Sequence, residues 1–286
     1  MDVDEVRELV ARAQAVDSVA PLNEEAWLEL SAAGEPTQAS AAHLFRWRDG
    51  RLAGYLQWQP VPGTAQVVVD PGCRRQGIAT DLVDELAAQV GRETVGLWAF
   101  GNLPAAQAFA LRREMAPVRD LWMMQRPLPV PTRSSSHGSR VSIRSFQPGD
   151  ADALLALNAA AFAHHAEQGA LDHAGLAARM AEEWFDPDGL LLAFDDDGLA
   201  GFHWTKRHDA ATGEVYVIGV APRAQGHGVG RVLLDAGLDY LTRQGCATVV
   251  LYVDSADEVA CTMYETGGFG LAHRDVLYAP SHEESR

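Results

Sequence analysis

The sequence predicts a mixed α/β protein made of two tandem domains, each a central mixed sheet flanked by helices. Strand-like and helix-like segments alternate through the second half, a glycine-rich strand-to-helix segment occurs twice, and a proline- and serine-rich stretch separates the copies.

The repeat is the plainest of these signals. Val69-Asp70-Pro71-Gly72-Cys73-Arg74-Arg75-Gln76-Gly77-Ile78-Ala79 recurs 151 positions later as Val220-Ala221-Pro222-Arg223-Ala224-Gln225-Gly226-His227-Gly228-Val229-Gly230. Upstream, Leu52-Ala53-Gly54 matches Leu199-Ala200-Gly201 at an offset of 147. A period of this size is too long for a solenoid unit and reads as duplication of a whole domain. Between the copies, Arg126 to Ser139 carries spaced prolines followed by Ser and Gly, which extend neither a helix nor a central strand. The predicted domains are therefore residues 1–126 and 140–286, joined by a linker over 127–139.

In the second half, Val141 to Ser145 alternates like a strand, and Gly149 to Ala163 has helical spacing of apolar residues. A helix is predicted around Gly175 to Glu183. Leu190 to Phe194 and Leu199 to Thr205 read as strands across the Asp195-Asp196-Asp197-Gly198 turn, and Glu214 to Val220 is a Val-, Ile- and Tyr-rich strand. Then come a helix from Gly228 to Gln244, a strand from Thr248 to Val253, a helix near Glu258 to Glu265 and a strand near Leu271 to Tyr278. The first half repeats this order without a strand ahead of its first helix.

Composition narrows the partners. The chain of 286 residues has a net charge of −16, which repels polyanions and argues against nucleic acid or an anionic membrane surface. Its acidic start is unlike a secretory signal, and no apolar run approaches the ~20 residues of a membrane span. Cys73, Cys246 and Cys261 are odd in number and lack C-x-x-C spacing, which suits reduced thiols in a cytoplasmic protein. The histidines, His164-His165 included, show no metal-ligand spacing, so no metal is expected.

A strand that turns through Gln225-Gly226-His227-Gly228-Val229-Gly230 into a helix presents successive backbone N–H groups at a helix N-terminus, where they bind phosphate. Glycine keeps side chains from holding a pyrophosphate away from those donors. In an acidic chain, these donors and the helix dipole, aided by Arg223 and Arg231, give a local means of retaining an anion. The spacing Q-x-x-G-x-G lacks the G-x-G-x-x-G of a dinucleotide fold.

This segment after a strand ending V-I-G-V, followed by a helix and L-Y-V-D, resembles the acetyl-CoA-binding core of the GCN5-related N-acetyltransferase (GNAT) superfamily. Ala260-Cys261-Thr262-Met263-Tyr264-Glu265-Thr266-Gly267-Gly268-Phe269 resembles its A-x-x-x-Y-x-x-x-G-F signature. Arg74-x-x-Gly77-x-Ala79 gives the first half the same turn. A narrower resemblance is to the mycothiol synthase family of tandem GNAT enzymes. It rests on Val16 to Pro21, Ala161 to Gly169, Trp184 to Pro187, Gly201 to Lys206 and Gly213 to Val220.

The resemblance implies acetyl-CoA as co-substrate and, as acceptor, the cysteinyl amine of cysteinyl-glucosaminyl-inositol, handled by a monomeric enzyme. It implies Glu214 as the base that takes the amine proton and Tyr264 as the acid toward the departing thiolate, with Glu24, Glu167, Lys206, Glu214 and Tyr252 holding the acceptor. It places cofactor contacts at Ile218, Gly219 and Val220, where a backbone N–H faces the developing oxyanion, and at Gln225, Gly226, His227, Gly228, Val229, Gly230 and Arg231. Further contacts fall on Asp257, Glu258, Val259, Ala260, Cys261 and Thr262. The family prefers Asn where this chain has Asp257, and Leu where it has Gly268.

In the first half, the corresponding cofactor segment is Val67, Val68, Val69, Arg75, Gln76, Gly77, Ile78, Ala79 and Thr80. Offset by 151, Glu214 falls on Gly63, and strand matching sets Tyr264 against Ala110. The first half is accordingly expected to be a catalytically degenerate copy. The same motifs leave two other readings open, a GNAT acting on protein or peptide amines and a CoA-binding regulatory module without turnover.

Overall fold

The computed structural model describes residues 3–31, 42–129, 141–163, 169 and 171–281. Contacts divide the chain into two units. Unit 1 comprises Met1–Trp122, Asp254–Ala256 and His273–Arg286; unit 2 comprises Met123–Val253 and Asp257–Ala272. The linear boundary read from the sequence differs from this at the last strand, whose end belongs to unit 1. Which sheet edge a strand joins is settled by long-range pairing that chain order does not reveal. Pro127 ends a strand, and 130–139 of the expected linker lies outside the described residues.

Unit 1 opens with α1 (Val3–Asp17), whose Val6, Leu9, Val10 and Ala13 recur at helical spacing and are buried, followed by α2 (Glu24–Ser31). Then come β1 (Ala42–Arg48), β2 (Arg51–Gln59), β3 (Thr64–Val69), α3 (Ile78–Val90), β4 (Gly96–Ala99), α4 (Pro104–Arg112) and β5 (Met115–Pro127), which runs on into unit 2. One face of the sheet packs Leu52, Tyr55 and Val68 against α1 and α2. The other packs Ala53, Leu56, Ala65 and Leu97 against Ile78, Leu82, Val83 and Leu86 of α3.

Unit 2 contains β6 (Ser142–Ser145), α5 (Ala151–Ala161), α6 (His173–Met180), β7 (Leu190–Asp195), β8 (Gly198–Arg207), β9 (Thr212–Val220), α7 (Val229–Arg243), β10 (Thr248–Asp254), α8 (Glu258–Thr266) and β11 (Gly270–Pro280). The helix predicted around Gly175 starts at His173 because the Asp172 carboxylate caps it, accepting from Gly175 N at 2.8 Å. Phe202 and Trp204 of β8 join Leu154, Leu157, Leu176 and Leu192 in the core.

The strand order is β1-β2-β3-β4-β11 in unit 1 and β6-β7-β8-β9-β10 in unit 2. The strands β1-β2-β3 of unit 1 and β6-β7-β8-β9 of unit 2 are antiparallel neighbours. A crossover helix, α3 or α7, then leads to a parallel partner, β3 with β4 and β9 with β10. Both sheets are therefore mixed, as the sequence predicts. Gly54 pairs with Val69 in unit 1 and Gly201 with Val220 in unit 2, so the repeat seen in sequence is a repeat of register.

Candidate active site

The site of unit 2 begins with an irregularity in β9. Trp204 pairs with Val217 but Thr205 pairs with Val215, so the register shifts and β9 carries one extra residue, Tyr216, at this point. Such a bulge re-aims the strand beyond it. The parallel pairing of β9 with β10 covers Thr212 to Val215 against Thr248 to Leu251, although β9 runs to Val220 and β10 to Asp254. Beyond the bulge the two strands part, and one edge of 216–220 is left without strand pairing among the described residues. Ile218, Gly219 and Val220 lie on this opened stretch, antiparallel to His203, Phe202 and Gly201.

The bulge also corrects the comparison with unit 1. By register, Lys206 pairs with Glu214 as Gln59 pairs with Thr64. The counterpart of Glu214 is thus Thr64 and not Gly63, because the extra residue in β9 shifts a constant offset by one. Thr64 is buried and carries no carboxylate.

Partners across a strand pair point to one face, so Lys206 and Glu214 share a face with Val250 of β10 and, two residues on, with Tyr252. Glu214 is buried and Tyr252 is 46% exposed. The Lys206 ammonium lies 4.7 Å from the Trp184 ring centroid and 5.3 Å from that of Tyr216. These rings pack on each other and on Trp204, and Arg179 Nε donates to the Tyr216 hydroxyl at 3.0 Å. The aromatic faces favour the cation and fix its long side chain. Trp184, Arg179 and Tyr216 were not singled out as site residues from the sequence; W-F-D-P and E-V-Y-V mark two of them without showing that they meet.

At the end of β9 the chain makes a 3-10 turn over Pro222–Ala224 and enters α7 through Gly226 and Gly228, at φ +76° and +79°. A side chain is disfavoured at such angles. A Cβ on either glycine would meet nothing within 4 Å, so the turn borders open space. Gln225 braces it, its side-chain amide donating to Val220 O at 3.3 Å. His227 lies between the two glycines, and Val229, Gly230 and Arg231 form the first turn of α7. Arg231 Nε lies 3.2 Å from Asp235 one turn on. Arg223 does not attend the turn. It is paired with Asp195 at 2.6 Å and donates to Leu199 O at 3.0 Å, because the acidic β7–β8 turn competes for its guanidinium.

The helix carrying Tyr264 lies beside that turn, since a Cβ on Gly230 would be 3.3 Å from Met263 Sδ. Asp257 caps α8, accepting from Ala260 N at 2.9 Å, the work an Asn would do at this position. Glu258, Val259, Ala260, Cys261 and Thr262 follow in its first turns, with Cys261 buried and Val259 exposed. At the other end Gly268 takes φ +85° and donates to Glu265 O at 2.9 Å, while Phe269 N donates to Tyr264 O at 3.0 Å. This left-handed cap explains a glycine in place of Leu. Its apolar contact is Tyr264 against Phe269, rings 5.8 Å apart and near edge-on. Tyr264 is buried, and burial pushes its hydroxyl pKa well above the usual tyrosine range, with Asp257 adding to the effect. It therefore stays protonated at neutral pH.

Unit 1 repeats the turn without these side chains. Arg75 and Gly77 hold φ +65° and +87°, matching Gly226 and Gly228. Val67, Val68 and Val69 end β3, Gln76 lies in the turn, and Ile78, Ala79 and Thr80 begin α3. Ala110, buried in α4, matches Tyr264. Glu24 opens α2 of unit 1, and Glu167 lies outside the described residues. Among the described residues no His, Cys, Asp or Glu group is placed to hold a metal ion, and no helix is long and apolar enough to cross a membrane.

Comparison with known proteins agrees with this architecture. The Acetyltransferase (GNAT) family profile matches residues 5–114 and 156–269. The chain is 41% identical to a mycothiol acetyltransferase of Catenulispora acidiphila, covering 97% of this chain and 95% of that one. It is 43% identical to one of Nocardia farcinica and 44% identical to one of Thermomonospora curvata, each over 96% of this chain and 93% of the relative. Among solved structures, a GCN5-related N-acetyltransferase of Sphaerobacter thermophilus has TM-score 0.73 at 23% identity, over 96% of this chain and 90% of that one. A tandem GNAT protein of the clavulanic acid biosynthesis pathway has TM-score 0.70 at 19% identity, over 96% and 93%. With both halves matched and full-length relatives above 40% identity, the chain belongs to the GNAT acetyltransferase family, whose domain it carries twice.

Proposed function

We propose that unit 2 acetylates the cysteinyl amine of cysteinyl-glucosaminyl-inositol from acetyl-CoA, the last step of mycothiol biosynthesis. The observation that carries this reading is full-length similarity to proteins named mycothiol acetyltransferase. A cytoplasmic setting suits three cysteines that form no disulfide.

The residues fit the co-substrate. Gln225 to Arg231 form a backbone cradle at the N-terminus of a 15-residue helix, facing open space where a pyrophosphate needs room. The thioester of acetyl-CoA supplies the activated acetyl group. Glu214 takes the proton that leaves the amine, which matters because an α-amino group with a reference pKa near 8 is largely protonated at neutral pH. Tyr264, kept protonated by burial, donates to the departing sulfur. Lys206 and Tyr252, on the face of Glu214, hold a hydroxyl-rich acceptor. The parted edge of β9 near Gly219 and Val220 offers a backbone N–H to the carbonyl oxygen as charge develops.

The test is an acetylation assay offering cysteinyl-glucosaminyl-inositol, glucosaminyl-inositol and a peptide amine side by side. Turnover is expected with the first. Faster turnover of the peptide would replace the acceptor assignment, and acetyl-CoA binding without turnover of any amine would replace the enzymatic one.

A further inference from the structure

His208 lies at the start of the β8–β9 connection, with its imidazole Nε2 2.8 Å from Glu214 Oε2. The two side chains differ in environment, the histidine being 41% exposed and the glutamate 9%. Exposure would ordinarily leave such a histidine free to sample rotamers, but its backbone is fixed. His208 N donates to Thr212 O at 3.0 Å, and Asp209 Oδ1 accepts from Ala211 N at 2.7 Å and Thr212 N at 2.8 Å. The same loop is tied to β10 through Ala211 O, which accepts from Ala247 N and Thr248 N. A four-residue loop is thus closed on itself and on the neighbouring strand, and it presents one ring nitrogen to one carboxylate oxygen.

We propose that His208 is a positioning residue for Glu214. Its Nε2–H donates to Glu214 Oε2 and so turns the other oxygen, Oε1, toward the acceptor amine. The inference rests on the reading of Glu214 as the base and goes beyond it in naming what aims that base. No covalent bond changes at His208; the amine proton moves to Glu214, and the imidazole keeps its own. A buried carboxylate needs a donor on the oxygen that does not react, because an unpaired one would rotate or draw in water.

Asp209 in the same loop is held below the usual carboxylate range chiefly by the Ala211 and Thr212 N–H groups, with His208 adding to it.

The experiment compares His208→Ala, His208→Gln and Glu214→Gln in the full chain, following kcat and acceptor KM from pH 5 to 9 and checking folding by thermal unfolding. His208→Ala is expected to lose about 10- to 100-fold in kcat with little change in acceptor KM, the size of effect a misplaced reacting group produces. His208→Gln, which retains a neutral donor, is expected to restore most of kcat. His208→Ala at the wild-type kcat, beside an inactive Glu214→Gln, would overturn the role of His208 alone. So would a folded His208→Gln as slow as His208→Ala. Wild-type turnover by Glu214→Gln would remove the base assignment and the role of His208 with it.

Discussion

Gly228 and Gly77 hold the same left-handed backbone conformation, φ +79° and +87°, each as the residue that caps a helix following a 3-10 turn. Replacing either with Val places a β-branched side chain at a φ that costs on the order of 1–2 kcal/mol. In unit 2 the side chain would also enter the open space beside the turn. Gly228→Val is expected to raise the Kd for acetyl-CoA at least about 10-fold by calorimetry. Gly77→Val is expected to lower stability while a folded sample keeps kcat within a few-fold. The opposite pattern would reverse the assignment of the catalytic unit.

Glu214 and Tyr264 should separate by pH. Glu214→Gln removes the base but keeps the shape, with a loss of about 100- to 10,000-fold that shrinks as rising pH frees the amine. Tyr264→Phe removes a hydroxyl that burial keeps protonated, so higher pH does not restore the lost donor. Initial rates from pH 6 to 10 decide this. Near wild-type rates for both variants, with acetyl-CoA binding intact, would move both proton transfers elsewhere.

Arg223 gives a negative test. Its guanidinium is paired with Asp195 and Leu199 O, away from the glycine turn. Arg223→Ala should leave the Kd for acetyl-CoA within about twofold, as expected of an exposed ion pair remote from the ligand. A 10-fold loss measured by titration would place Arg223 on the pyrophosphate after all.

Asp275 makes unit 1 sensitive to pH. It is buried on β11 and accepts from Gly101 N at 2.6 Å, with His273 3.4 Å away. Burial raises its pKa above 3.8, against the opposing effects of the Gly101 hydrogen bond and His273. The folded state then holds the proton more tightly than the unfolded state, so stability falls as pH rises from about 3.8 through the raised value. Asp275→Asn keeps an acceptor for Gly101 without the charge. It should unfold at a higher temperature than wild type at pH 7, with the gap closing as pH falls through the carboxylate range. A gap that stays constant with pH would count against this account.

The elements of unit 2 were legible because each has a local signature. The Asp-Asp-Asp-Gly turn, the Val- and Ile-rich β9 and the glycine run before α7 all report on neighbours in the chain. What could not be read locally was anything set by pairing. A constant offset put Glu214 on Gly63, and only the bulge at Tyr216 shows that Thr64 is its counterpart. His208 is six residues from Glu214 in a polar loop, and their contact depends on how that loop closes. Arg223 looked like a phosphate ligand by proximity in sequence, but the acidic turn that claims it lies 28 residues upstream.

The pairing of β11 with β4, in which Val276, Leu277 and Tyr278 lie against Ala99, Trp98 and Leu97, has a consequence during synthesis. A chain elongating at about 5–20 residues per second makes β4 well before it makes the strand that covers it. Until residues 273–280 exist, β4 presents an open edge able to recruit strands from other nascent chains. The portion of the molecule translated first is thus among the last to be completed. A stop codon in β11 would damage unit 1, 176 residues upstream by the span from Asn102 to Tyr278, rather than merely shorten unit 2.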